Sequence, residues 1–262
     1  MMNEVRMYSD ELLLADLQAL VSNACNNPCP VCPTTSSPNC IETVNDAYIG
    51  QWDFALAAYN QVIPDTGPNG LDFELLDDQA SYDPIFVDNQ GLYFDGTSHV
   101  RTTGTFTQDE EYSITLETWI RPASTTLGGE LFAFEQSQNV NDASISLQSG
   151  SILVTLGTAT TTIPLTYTAA DVDTWQYVGV SLQKLTATTS KVCAVFGTGV
   201  ESCQTINSIL TLTGANSVQI GKNFKGMIKD MNVYDWPKTG YEFSDSIQVG
   251  GCTAWNGVAC TH

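Results

Sequence analysis

Positive charge is what this sequence has least of. Nine Lys and Arg stand against 29 Asp and Glu, a formal net charge of -20. A surface this acidic repels phosphate backbones and anionic headgroups, which excludes nucleic acid and an anionic leaflet as docking partners. Histidine is nearly missing as well, with only His99 and His262 in the chain. Ser-His-Asp and Cys-His devices need an imidazole fixed by a third group. His99 falls near a predicted strand end, where an exposed or edge position is expected. Paired carboxylates for glycoside hydrolysis are also lacking, because the central strand offers Glu117 alone and no Glu-x-Asp-x-Glu spacing occurs. No catalytic residue is assigned, and no enzyme is expected.

Long apolar runs are absent too. No stretch reaches the length and apolarity of a membrane span. Residues 1–21 carry Glu4, Asp10, Glu11 and Asp16 around a short apolar run, with no basic n-region, and so do not read as a signal peptide. No Asn-x-Ser/Thr sequon occurs, so N-glycans do not argue for secretion. The Thr34–Ser37 run reads as a bare linker, with O-linked sugar as the alternative.

What the chain does have is cysteine. Eight cysteines, an even number, fall into two end clusters and one central pair. That pattern points to disulfides and to an extracellular or cell-surface location. The expectation is then that a signal was removed ahead of Met1 or that the chain is part of a longer polypeptide. The acidity favours solubility first, and cation binding or a basic partner next.

Three zones follow. Residues 1–22 place Leu13, Leu17, Leu20 and Val21 at helical spacing, predicting a short amphipathic helix. It would pack on its own domain or dock on a neighbouring chain. Residues 23–40 form a Cys- and Pro-rich loop holding Cys25, Cys29, Cys32 and Cys40, whose prolines rule out regular helix. Disulfides are the expectation there, and a zinc thiolate site is the alternative. Residues 41–262 are β in character and end in a tail with Cys252 and Cys260. Short runs rich in Val, Ile, Thr, Tyr and Phe recur between Gly, Asp, Asn and Ser clusters, at 48–56, 92–95, 112–121, 131–135, 145–147, 152–156, 176–182, 191–196, 217–220 and 227–234. With no helical stretch recognised between them, the predicted fold is all-β, an antiparallel two-sheet jelly-roll sandwich.

Cys193 and Cys203 lie symmetrically about Thr198 in the run Phe196-Gly197-Thr198-Gly199-Val200. A three-residue hairpin loop at 197–199 would set them opposite each other, within reach of a disulfide. The pairing of Cys25, Cys29, Cys32, Cys40, Cys252 and Cys260 stays open.

Landmarks from about residue 46 to 241 resemble the laminin-G/concanavalin A-like family in its pentraxin-related jelly-roll branch. They are Gln51-Trp52-Asp53-Phe54, the 91–98 run containing Tyr93, Phe94 and Gly96, the 113–122 strand with Trp119, the 174–180 strand with Trp175, Val195-Phe196-Gly197, and the 221–234 closing strand with Gly226 and Tyr234. Trp52, Trp119 and Trp175 are expected as core anchors, and Gly96 and Gly226 as turn or close-approach positions. The resemblance points to calcium as a candidate cofactor, held by hard oxygens at a loop rim. Asp77, Asp78, Asp83, Asp171 and Asp173 are the candidates by local density.

Two roles compete. The chain would be a structural subunit of an extracellular coat, appendage or filament, self-assembling or joining other extracellular proteins through its helix and two cysteine-bearing ends. Alternatively it would be a carbohydrate- or protein-binding adhesion module, with Trp236 or Trp255 as a surface for sugar stacking unless, as core packing would have it, they are buried.

Overall fold

Alternating apolar residues build two antiparallel sheets that face each other across one core. The computed structural model describes residues 48–54, 62–75, 84–87, 90–107, 113–124, 128–137, 140–197, 200–212 and 214–249. The predicted N-terminal helix, the Cys-rich loop, Asp77, Asp78, Asp83, Trp255 and all six terminal cysteines lie outside these residues.

The strands in chain order begin with β1 (Tyr48–Trp52), β2 (Val62–Ile63), β3 (Phe73–Glu74), β4 (Ile85–Val87) and β5 (Gly91–Asp95). Next come β6 (Val100–Arg101), β7 (Phe106–Thr107), β8 (Ile114–Pro122), β9 (Gly129–Ser137) and β10 (Val140–Gln148). β11 (Ser151–Leu156), β12 (Ala159–Pro164), β13 (Gln176–Lys184) and β14 (Ser190–Phe196) follow. β15 (Ser202–Ile206), β16 (Ala215–Ile220) and β17 (Lys225–Tyr234) close the sandwich, and a helix α1 (Gly240–Val249) follows them.

The first sheet runs β15-β14-β13-β8-β17-β5-β4, with β1 also paired to β17. The second runs β12-β11-β10-β9-β16-β6, with β7 also on β16. β2 and β3 form a separate ribbon. Every pairing between these strands is antiparallel, the arrangement expected of a chain with no crossover helices. Leu116, Ile120, Val178 and Val180 from the first sheet meet Phe132, Phe134, Ile145 and Val154 from the second in one buried cluster. Trp52 closes this core at one end. It is 1% exposed, its indole N–H donates to the Leu71 carbonyl at 2.8 Å, and its ring lies 4.9 Å from Phe73.

Trp119 and Trp175 are not core anchors. Both are only partly buried. On β8 the inward positions are Ile114, Leu116 and Ile120, so the period of two turns Trp119 to the outer face. Gly96 and Gly226 do take positive φ, 97° and 145°. A Cβ at Gly226 would stand 2.5 Å from the Arg121 carbonyl oxygen, so β8 and β17 close up there only around glycine.

Cys193 and Cys203 are register partners across β14 and β15 and are joined, with Cα atoms 4.0 Å apart. Among the described residues, pairing of the two strands ends at Ala194 and Ser202, short of the Phe196 and Val200 that a three-residue loop would join. On its other edge β14 continues along β13 as far as Phe196, which pairs with Val178.

Candidate functional site

The end of the chain turns an ordinary outer sheet face into a cleft. On β13, Val178 and Val180 face the core, which leaves Tyr177 and Gly179 outward. Their register partners on β8 are Trp119 and Glu117. Beside them runs β17, and its register slips between Lys229 and Asn232: three steps on β17 match two on β8. Asp230, at φ 50°, sits in this bulge. One inserted residue reverses the facing of everything after it. Ile228, Met231 and Val233 all reach the core, while Asn232 and Tyr234 come to the outer face beside Glu117.

Helix α1 supplies the far wall. Thr239 begins it: its backbone N–H and its hydroxyl both donate to a Glu242 carboxylate oxygen, at 2.8 and 2.9 Å. Phe243 is 0% exposed and packs with Tyr177 and Val195, with Trp119 and Ile247 against them. Gly179 makes this seat, since a Cβ there would lie 2.6 Å from the Phe243 ring. The connection from β17 is tied to the sheet through Thr115, whose hydroxyl donates to the Trp236 carbonyl and accepts from the Lys238 N–H, both at 2.7 Å.

Between helix and sheet lies an open cavity of about 480 Å³, lined by Trp119, Tyr177, Tyr234, Glu117, Asp230, Asn232, Lys238, Glu242 and Ser246. Glu117 organises its floor. One carboxylate oxygen accepts from the Tyr177 hydroxyl at 2.6 Å; the other accepts from the Tyr234 hydroxyl and the Lys238 ammonium, each at 2.8 Å. The side chains of Lys238 and Glu117 are 9% and 5% exposed. Lys238 also donates to the Ser246 hydroxyl at 3.1 Å and lies 3.7 Å from the centre of the Tyr234 ring. Burial, reinforced by the Glu117 charge, pushes both tyrosine hydroxyls far above their ordinary range, so they remain donors and do not serve as bases. The buried charges satisfy one another, which holds this floor in one arrangement.

Asp230 behaves differently. Its carboxyl is pushed up from 3.8 to about 6 chiefly by burial, with Lys229 opposing the rise and the nearby Asp53 adding to it. Its side chain is nevertheless 37% exposed, and Lys229 stands 3.3 Å away, so solvent weakens the energetic consequence. Folding raises this pKa, so the folded protein holds the proton more tightly. The contribution to stability is present below about 4 and lost as pH rises through about 6. Urea titrations should therefore show wild type losing stability relative to Asp230→Asn over that interval. A constant difference between the two proteins across it would show that burial does not govern this carboxyl.

The expected site residues fall elsewhere. Asp171 ends a single 3-10 turn, where one oxygen accepts from the Thr168 N–H at 2.7 Å and hydroxyl at 2.9 Å, and the other from Gln176 at 3.3 Å. Asp173 has φ 56°, and its carbonyl accepts from the Arg121 side chain at 2.9 Å. Among the described residues the one group of three with metal-ligand character is Cys193, Glu201 and Cys203, two of which form the disulfide. Trp236 packs edge-on to Tyr234 at 4.8 Å. His99 is half-buried just before β6.

Most of the cleft is not legible in the sequence. Glu117 stands out there only as a carboxylate without a partner acid. A signal for α1 does exist in Thr239-Gly-Tyr-Glu242, a capping pattern followed by Phe243 and Ile247 four apart. Gly179 inside an apolar strand is a second signal, marking a close approach.

No protein-family model matches this sequence, and no curated protein matches it. Solved structures do share its architecture. The receptor binding domain of botulinum neurotoxin mosaic serotype C/D matches with a TM-score of 0.56 at 11% identity, over 79% of this chain and 52% of that one. The binding domain of botulinum neurotoxin DC in complex with SialylT matches at 0.52 and 12%, over 78% and 52%. The same domain in complex with rat synaptotagmin II matches at 0.50 and 15%, over 79% and 52%. This chain thus spans about half the length of the solved chains it matches. At such identities the likeness is one of fold: the chain is an antiparallel two-sheet β-sandwich.

Proposed function

We propose that this chain is an extracellular carbohydrate-binding module of the laminin-G/concanavalin A-like kind, and that the cleft between α1 and the first sheet holds the sugar. The observation that carries the reading is a partly exposed aromatic ring set beside polar groups. Trp119 stands with Asn232, Asp230, Glu242 and Ser246 around one cavity, which the buried Tyr177 and Tyr234 also line. A sugar ring offers apolar C–H faces to aromatic rings and hydroxyls to amide and carboxylate groups, and pockets of this kind orient a ligand with few polar contacts. The proteins of similar fold are binding domains, one of them seen in complex with SialylT and with rat synaptotagmin II, which supports binding over catalysis. The disulfide supports a place outside the cell. No helix among the described residues is long and apolar enough to cross a membrane.

The structural-subunit reading expected from the sequence rests on the two chain ends, which lie outside the described residues; the cleft makes the binding role the better supported one. Calcium has no part in this reading. Screening of the protein on a glycan array, followed by calorimetry, tests it. Trp119→Ala is expected to weaken the best ligand by about tenfold or more, about 1.4 kcal/mol, with the fold intact because Trp119 is only partly buried. Glycan binding that survives Trp119→Ala unchanged would move the site elsewhere.

A further inference from the structure

Resting on the glycan reading above, we infer that the cleft selects sugars without acidic groups, and that the carboxyl groups of its wall enforce the choice. Three carboxyl side chains line it, Glu117, Asp230 and Glu242, against one cation, Lys238. That cation is already committed: its ammonium is bonded to Glu117 and Ser246 and lies over the Tyr234 ring. It cannot turn to a ligand without leaving Glu117 buried and uncompensated.

A carboxylate or sulfate on a sugar would enter a cavity whose one lining cation is already engaged, where Lys229 behind the wall is paired with Asp230 at 3.3 Å, and where Glu242 and Asp230 carry the same sign as the ligand. The whole chain adds to this repulsion with its net charge of -20. Like charges set together at an interface are a device for rejecting wrong partners. An uncharged sugar meets no such penalty. Its hydroxyls can donate to the Glu242 and Asp230 oxygens and exchange bonds with the Asn232 amide. Glu242 is thereby a specificity-determining residue as well as the cap of α1.

The test uses the full chain and matched pairs of oligosaccharides, each uncharged member set beside its counterpart bearing one carboxylate or sulfate. Affinities are measured by calorimetry at pH 7.5 for wild type, Trp119→Ala and Glu242→Gln. The expected result is binding of uncharged members, counterparts at least about tenfold weaker, and loss of the binding in Trp119→Ala. Glu242→Gln keeps an acceptor for the Thr239 cap and should narrow the gap between the two members of a pair. Trp119-dependent binding in which the acidic member is equal or stronger overturns the selectivity and leaves the glycan-binding function standing. Absence of binding to every uncharged and acidic member, or binding indifferent to Trp119→Ala, overturns the function itself.

Discussion

Glu117→Gln is expected to lower the stability of the folded protein by about 3 kcal/mol, because it leaves the Lys238 ammonium in place without its counter-charge. The loss is large because no neighbouring group can take over. Lys238 is 9% exposed, and its other contacts are the Ser246 hydroxyl and the Tyr234 ring. The Tyr177 and Tyr234 hydroxyls donate to opposite oxygens of this carboxylate, and an amide keeps only one of the two as an acceptor. For a chain of this size the change corresponds to a fall in Tm of about 6–12 °C. The double variant Glu117→Gln with Lys238→Met removes the stranded charge and should recover most of the loss. Urea midpoints of wild type, Glu117→Gln, Lys238→Met and the double variant give the coupling directly. A single variant costing less than about 1 kcal/mol, or a double variant worse than the single, would mean that the ion pair does not hold this floor together.

Phe243→Ala should be nearly as costly, about 3 kcal/mol, and should also abolish binding at the cleft. Phe243 is the residue by which α1 grips the sheet: it is 0% exposed, and it sits over Gly179 against Tyr177 and Val195. A ten-residue helix is too short to persist in water on its own propensity. Once its anchor is gone, Glu242 and Ser246 lose their place in the cleft wall. The expected signature is fast amide exchange confined to 240–249 while β8, β13 and β17 remain protected. Gly179→Ala should act in the same direction, since its added methyl enters the space of the Phe243 ring. Retention of slow exchange across α1 in Phe243→Ala would show that the helix is held by other contacts.

Much of the sandwich is legible in the order of residues. Runs such as Ile152, Val154 and Leu156 alternate with a strict period of two, and the structure buries all three. The symmetry of Cys193 and Cys203 about Thr198 matches their register, and the two residues are joined. Other elements are hidden for definite reasons. β12 is rich in Thr and has one fully buried position, Ile163, which gives little apolar alternation to read. The bulge in β17 leaves only a spacing of three between Ile228 and Met231, which a single sequence does not separate from a break in the strand.

Charge, cysteine content and strand periodicity by themselves determined the acidic, disulfide-bearing, all-β character of the chain, because each is a local or summed property of residue types. Only the tertiary structure decided which outer face would become a cleft. The structure puts Glu117, Trp119 and Tyr177 on one face turned away from the core, although the sequence landmarks predict Trp119 inside it, and a sheet has no local signal for what lies over that face. Coverage depends on the path of the chain sixty or more residues later, where Phe243 finds the gap left by Gly179 and Lys238 finds Glu117 across 121 positions. Contacts between such distant segments depend on how whole sheets and their connections pack, which is why the site emerged only with the fold.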